Sequence, residues 1–136
     1  MFPANELKPE EVRDISLRNL AHLGDAVFEL YEREKELMKA STTKNIHLTV
    51  VSRVNAQSQA QLLEQLTAYL SEKEIDIVRR ARNIKVSNYK KVDQSVYRRS
   101  TAFEALIGFL YLTDSDRLKE VLALTEIGPE EENLSP

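Results

Sequence analysis

The chain has 136 residues, of which 42% are hydrophobic and 30% charged, and this composition is typical of one ordinary globular domain with a single core. It contains no cysteine, which excludes disulfides, thiolate zinc sites and cysteine nucleophiles, and its two histidines argue against a histidine-rich metal site. No segment is apolar over the length of a membrane span, and the first residues lack the pattern of a targeting signal. We therefore expect a soluble intracellular protein with no membrane partner.

The formal net charge of -3 conceals an uneven distribution of charge along the chain. Between Arg79 and Arg99, eight basic residues stand against one acidic residue, Asp93, which gives this stretch a local charge of +7. The remainder carries 11 basic and 21 acidic residues, or -10. Such asymmetry inside an acidic protein predicts a localised contact with an anion.

Helical periodicity and capping residues predict an all-α fold, and only three glycines and four prolines interrupt the pattern. The predicted organisation is a loosely ordered arm over residues 1–15, one domain over residues 16–125 and a disordered acidic tail over residues 126–136. Within the domain we expect helices over about residues 16–39, 46–70, 71–83, 95–113 and 116–124. A basic loop over residues 84–94 joins the third and fourth of these helices.

Apolar stripes predict which side of each helix faces the core. In the first helix the stripe comprises Leu20, Leu23, Val27, Leu30, Tyr31, Leu37 and Met38; in the second, Leu48, Val51, Leu62 and Leu66; in the third, Ile75, Val78 and Ala81. The amide-rich run over residues 54–61 of the second helix is interpreted as close helix packing or a subunit contact. Asp25 then lies away from the main seam of the first helix. Gly24 beside it predicts a close approach of another backbone, because glycine inside a helix costs about 1 kcal/mol relative to alanine.

The fourth helix is apolar on every side over residues 100–113 (STAFEALIGFLYLT), so we expect it to be buried all round. Glu104 is the one charged residue in this segment. A buried carboxylate requires a cation, a hydrogen-bond network or a metal ion, because removing an unpaired charge from water is costly. From this residue alone, a structural ion pair and a functional carboxylate are equally good interpretations.

Several kinds of chemistry lack their sequence signals. The chain has no G-x-S-x-G motif, no glycine-rich phosphate loop and no Glu-x-x-His pair of the di-iron bundles. What remains is a pair of carboxylates, Asp25 and Glu104, on separate helices, with a basic loop before the second. This combination suits a divalent cation beside a phosphodiester, where lysine and arginine hold the nucleic-acid backbone.

Two segments resemble the conserved helices of the ribonuclease III family. Residues 19–30 (NLAHLGDAVFEL) resemble its signature helix, and residues 103–112 (FEALIGFLYL) resemble its second conserved helix. Together with RRARN at residues 79–83 and YRRSTAFEAL at residues 97–106, they are similar to the short bacterial and plastid group that consists of the catalytic domain alone. We expect no double-stranded-RNA-binding domain, and a location in the cytoplasm, or in the plastid if the chain comes from a plant.

The resemblance implies a ribonuclease III helical fold and a homodimer whose two active sites line one groove. It also implies magnesium-dependent cleavage of double-stranded RNA, with Mn²⁺ as an alternative ion, leaving a 5′-phosphate and a 3′-hydroxyl. The implied substrate is a precursor of large-subunit (23S) ribosomal RNA, which a ribosomal protein can shape for cleavage.

By position, Asp25 and Glu104 match the two metal-binding carboxylates of the family. Ala21 and Thr101 stand where a glutamate and an aspartate are usual, which favours one firmly held ion with more of its coordination supplied through waters. The candidate RNA-binding residues are Arg79, Arg80, Arg82, Lys85, Lys90, Lys91 and Arg98. Arg99 is a candidate partner for one of the two carboxylates, and Tyr89 either contacts the minor groove or is simply exposed.

Two other interpretations remain open. The losses at Ala21 and Thr101 favour a non-catalytic RNA-binding or structural module with a ribonuclease III fold, although such a module has no reason to keep Glu104 in an apolar helix. An unrelated helical adaptor that binds an acidic protein explains the basic stretch but neither helix motif.

Overall fold

The computed structural model describes residues 6–39, 42–84 and 94–127, and within these ranges all regular structure is helical. The helices are α1 (Pro9–Val12), α2 (Leu17–Leu37), α3 (Thr43–Val54), α4 (Ala56–Leu66), α5 (Glu72–Arg82), α6 (Gln94–Thr113) and α7 (Ser115–Leu124), with a short 3₁₀ turn over Thr67–Tyr69. The predicted all-α fold is confirmed. None of the helices that the structure describes has the length and apolarity required to cross a bilayer.

Helix α6 is the centre of the fold, and α2, α4 and α5 pack around it. Phe103, Leu106 and Ile107 are completely buried, as is Ala105 on the other side of the helix. This burial follows from a segment that is apolar on all sides, since each neighbouring helix can remove a different face from water. The prediction that residues 100–113 lie inside the domain is confirmed.

Helices α2 and α6 cross with their backbones in direct contact. A β-carbon built on Gly24 would lie 1.7 Å from the carbonyl oxygen of Glu104, and one built on Gly108 would lie 2.0 Å from the carbonyl oxygen of Leu20. Both distances are far inside van der Waals contact, so only glycine fits at either position. The close approach predicted at Gly24 is confirmed, and its partner is the helix that carries Glu104.

This crossing turns a different face of α2 toward the core from the one predicted. Leu30, Leu37 and Met38 are exposed, with Met38 at 85% exposure, and the predicted stripe is therefore wrong at these positions. The buried face instead comprises Leu20, Ala21, Gly24, Phe28, Glu32 and Glu36. Burial of Glu32 is possible because Arg53 donates to it from α3 at 3.1 Å and Lys35 donates to it at 2.8 Å.

The single helix predicted over residues 46–70 is wrong, because Asn55 divides it into α3 and α4. Asn55 has an extended backbone (φ -77°, ψ 161°), and its side-chain oxygen accepts from the backbone N–H of Ser58 at 2.9 Å. An asparagine that caps a new helix in this way competes with continuation of the old one. Leu48 and Val51 are consequently exposed on α3, whereas Leu62 and Leu66 on α4 are buried as predicted.

The remaining helices follow their predicted bounds closely. Ser71 and Glu74 form a capping box at the start of α5, and Asp114 caps α7. On α5, however, Ile77 is buried and Ile75 is 44% exposed, the reverse of the predicted inner face at these two positions.

Both ends of the described chain are more closely attached to the domain than predicted. In the region assigned to a loose arm, Val12 is buried and the backbone N–H of Leu7 donates to the carbonyl oxygen of Leu112 at 2.8 Å. Glu126, assigned to the tail, accepts from Lys35 at 2.7 Å. Residues 1–5 and 128–136 lie outside the described residues.

A buried ion pair joins α5 to α7 and provides a test of the packing. Arg117 donates from Nε to one oxygen of Glu74 at 2.9 Å and from Nη2 to the other at 2.8 Å, and these bonds hold the pKa of Glu74 below its usual value.

We expect Arg117→Met to lower the free energy of unfolding by about 3 kcal/mol, because it leaves a buried carboxylate unpaired. Urea denaturation measures this change. Arg33→Met, which breaks an exposed pair with Glu29, is the control and should cost less than about 1 kcal/mol; equal losses would contradict the prediction.

Candidate active site

The two predicted carboxylates meet at the crossing of α2 and α6. Asp25 follows Gly24 on α2, and Gly24 rests against the backbone carbonyl of Glu104 on α6. The two carboxyl groups are hydrogen-bonding neighbours. Asp25 is exposed and Glu104 is partly buried, so the pair has one side open to solvent. The structure thus brings together residues that are 79 positions apart in the sequence.

The environment of this pair disfavours two negative charges. Burial is the main cause that raises the pKa of Glu104 to about 8, and the hydrogen bond and negative charge of Asp25 raise it further. The side chain of Gln59 opposes this rise, because a donor beside a carboxylate favours its charged form. One of these two adjacent carboxylates has a strongly raised pKa. A bound cation would therefore stabilise the pair in its fully ionised form.

Gln59 is a component of the site that the sequence interpretation missed. It lies on α4, its residue is 1% exposed, and its side-chain oxygen accepts from the hydroxyl of Ser100 at 2.6 Å. Its amide nitrogen has no hydrogen-bond partner in the part of the chain that the structure describes. The available signal is the amide-rich run over residues 54–61, which from the sequence alone is interpreted as close helix packing or a subunit contact.

The donor set fits a hard divalent cation. Asp25 and Glu104 offer carboxylate oxygens, the ligands that Mg²⁺ prefers, and Mg²⁺ commonly retains several waters beside one or two carboxylates. Among residues 6–39, 42–84 and 94–127 there is no group of three or more histidine, cysteine, aspartate or glutamate side chains placed to hold a metal ion. The site is therefore a two-carboxylate site within these residues. Ala21, where the resemblance implies that a glutamate is usual, is buried in the core.

The predicted RNA-binding residues divide between two sides of α5. Arg79, Arg82 and Arg98 line a cleft of about 530 Å³, and Arg80 lines a second cleft of about 550 Å³ beside Arg13. Lys85, Lys90 and Lys91, together with Tyr89, lie outside the described residues.

Ion pairs reduce the free charge of part of this basic set. Arg79 and Arg80 both pair with Asp76, the latter at 3.0 Å. Arg99 pairs with Glu64 on α4, so the sequence-based suggestion that it pairs with Asp25 or Glu104 is wrong. The pairing follows from its place on the same cleft as Glu64.

Comparison with known proteins shows the class to which this fold and site belong. Residues 18–115 match the family model described as Ribonuclease III domain. The chain is also similar to a crystallised protein of Fusobacterium nucleatum, with 31% sequence identity, a TM-score of 0.76 and coverage of 85% of this chain and 95% of that one.

More specific relatives carry the name Mini-ribonuclease 3. The one from Gloeobacter violaceus is 40% identical over 120 residues, which is 88% of this chain and 89% of the relative. The one from a Thermoanaerobacter species is 42% identical over 122 residues, which is 88% of this chain and 86% of the relative. The chain therefore belongs to the ribonuclease III family of endoribonucleases, in its Mini-ribonuclease 3 group.

Proposed function

We propose that this protein is a magnesium-dependent endoribonuclease that cleaves double-stranded RNA and leaves a 5′-phosphate and a 3′-hydroxyl. The observation that carries the proposal is the contact between the Asp25 and Glu104 carboxyl groups where α2 crosses α6. In this proposal both residues bind the metal ion, with Mn²⁺ as an alternative to Mg²⁺. Family membership supports the reaction and the double-stranded substrate.

Each part of the site has a separate task in this proposal. The ion, when bound, would activate water and neutralise charge on the scissile phosphate. Glu104 must give up its proton to become a ligand, and the open side of Asp25 leaves room for the RNA backbone. Arg79, Arg82 and Arg98 would contact phosphates from the cleft beside α5, reading the shape of the A-form backbone rather than its sequence.

We propose a precursor of large-subunit ribosomal RNA as the substrate, with a ribosomal protein shaping it, in the cytoplasm. The support is the similarity to the Mini-ribonuclease 3 group. The direct test is cleavage of a double-stranded RNA precursor, free and assembled with ribosomal protein, in Mg²⁺ and in EDTA, with end-group analysis of the products. Cleavage in EDTA would contradict the metal requirement.

A non-catalytic RNA-binding module is the second candidate. Alanine at position 21 and the two-carboxylate donor set within the described residues favour it. If the protein binds the precursor but cuts neither the free nor the assembled form in Mg²⁺, this candidate replaces the nuclease.

Lys90 and Lys91 are proposed to contact phosphates, together with Lys85 in the same loop. We expect Lys90→Ala/Lys91→Ala to weaken RNA binding and to reduce the slope of log affinity against log salt by about two, because each neutralised lysine releases about one counterion fewer. Fluorescence anisotropy at several salt concentrations measures both quantities. Lys119→Ala, exposed on α7, is the matched control. An unchanged slope would contradict the proposal that Lys90 and Lys91 contact phosphates.

We also propose that the protein is a homodimer. Leu37 and Met38 at the end of α2 and Leu48 and Val51 on α3 expose apolar side chains, and α3 packs against α2. A second copy covering these side chains would remove them from water.

We expect Leu48→Glu to weaken dimerisation by at least about tenfold, since losing one buried leucine at an interface costs roughly 1.5–3 kcal/mol. Sedimentation equilibrium measures the dissociation constant. Ile75→Glu, at a position that is also exposed but lies on α5, should leave dimerisation unchanged. Equal effects of the two changes on the dissociation constant would contradict an interface at α3.

A further inference from the structure

The amide oxygen and the amide nitrogen of Gln59 differ in their hydrogen bonding. Its oxygen accepts from the Ser100 hydroxyl at 2.6 Å, and this bond orients the amide so that the nitrogen points to the other side. That nitrogen has no hydrogen-bond partner among the described residues, although Gln59 is 1% exposed. A buried donor without a partner is rare in proteins and calls for an explanation.

The position of Ser100 shows where the unpaired nitrogen lies. Ser100 and Glu104 are four residues apart on α6, so their side chains lie one above the other on the same face of the helix. Helix α4 packs against this helix, and the hydrogen bond from Ser100 places the Gln59 amide on that face. The interaction of the Gln59 side chain with the Glu104 carboxylate agrees with this placement.

The chemistry of an amide nitrogen limits its role. It has two N–H donors and no lone pair for coordination, so it cannot ligate a metal ion and requires an acceptor. The carboxyl group of Glu104, one turn along α6 from Ser100, offers such an acceptor. A donor on one carboxylate oxygen then restricts rotation of the group and directs the other oxygen, as outer-shell partners of metal ligands do.

We infer that Gln59 is a positioning residue whose amide nitrogen, oriented by Ser100, holds the Glu104 carboxylate in the arrangement that binds the divalent cation. This inference rests on the metal-binding role proposed for Glu104. It explains why a buried amide has one bonded and one unpaired end: the unpaired donor serves the carboxylate that holds the cation.

The test measures Mn²⁺ binding by calorimetry and, separately, urea unfolding in EDTA, for the full chain and its variants. Gln59→Met keeps the size of the side chain and removes the donor, and we expect Mn²⁺ affinity to fall about 10- to 100-fold. Unfolding in EDTA should change little, because removal of an unpaired buried donor offsets the loss of the Ser100 hydrogen bond. Gln61→Met, an exposed position on α4, should change neither quantity.

Ser100→Ala provides an independent variant, because it frees the amide to rotate without removing it. We expect a loss of Mn²⁺ affinity in the same direction as that of Gln59→Met, but smaller. Affinities within twofold of the parent for both variants would overturn the inference, as would a loss of stability in EDTA with no loss of affinity. Failure of the parent itself to bind Mn²⁺ would instead reject the proposed metal site, and with it the inference.

Discussion

We expect Gly24→Ala to lower the free energy of unfolding by more than about 3 kcal/mol, because its methyl group would collide with the backbone of α6. The β-carbon would lie 1.7 Å from the carbonyl oxygen of Glu104 and 2.9 Å from the amide nitrogen of Gly108. Backbone atoms in a packed helix cannot rotate away as a flexible side chain can, so the two helices would have to separate.

The sign of this effect distinguishes packing from helix propensity. In a helix that nothing approaches, alanine is more stable than glycine by about 1 kcal/mol, so the same substitution would stabilise the protein. Urea denaturation followed by circular dichroism measures the difference. Ala26→Gly, at an exposed position on the same helix, is the control and should cost only about 0.5–1 kcal/mol. A Gly24→Ala variant as stable as the parent would contradict the observed crossing.

We expect Glu104→Gln to reduce magnesium-dependent RNA cleavage by at least about a hundredfold. Loss of an outer-shell partner alone costs 10- to 100-fold in comparable metal sites, and this change removes a proposed ligand. Glutamine has nearly the same shape as glutamate, so the packing of α6 should survive. Single-turnover cleavage of double-stranded RNA measures the rate, and circular dichroism checks the fold. Glu34→Gln, exposed on α2, is the matched control and should retain full activity.

The same variant should remove a pH dependence of stability that the parent shows in EDTA. The folded protein raises the pKa of Glu104 from 4.5 to about 8, so between these values the folded state binds more protons than the unfolded state. The contribution of Glu104 to stability is therefore fully present below about pH 4.5 and is lost as the pH rises through about 8.

The side chain in Glu104→Gln has no proton to lose. As the pH rises from 5 to 8, we therefore expect the parent to lose stability and the variant to become more stable relative to it. Urea denaturation at the two pH values measures this gain, and Glu34→Gln should show none. A difference between Glu104→Gln and the parent that stays constant with pH would contradict the raised pKa.

Features that depend on residues close together in the sequence could be predicted from it. Ser16 and Ser71 accept hydrogen bonds from backbone N–H groups three residues later, and the helix starts at both residues were predicted. The burial of α6 follows from apolar residues on all its sides. The two carboxylates stood out because Asp25 and Glu104 occupy family motifs, and Glu104 lies in a helix that otherwise carries no charge.

Features that depend on contacts between distant segments were not predictable in this way. The predicted apolar stripe of α2 did not include Phe28 or Glu32, yet both are buried. Glu32 can lie inside because Arg53, 21 residues away in the sequence, supplies its partner. No rule based on hydrophobicity alone would bury a glutamate, since the compensating charge comes from another helix.

The amino-acid sequence by itself determined the helical class, the central helix, the family and the two candidate carboxylates, because these depend on local periodicity and on motifs within single helices. Tertiary structure alone decided that Asp25 meets Glu104, that Arg99 pairs with Glu64, and that Gln59 joins the site. The physical reason is that the rotation of α2 about its axis is set by the contact of Gly24 with α6, which is a property of two helices together and of neither one alone.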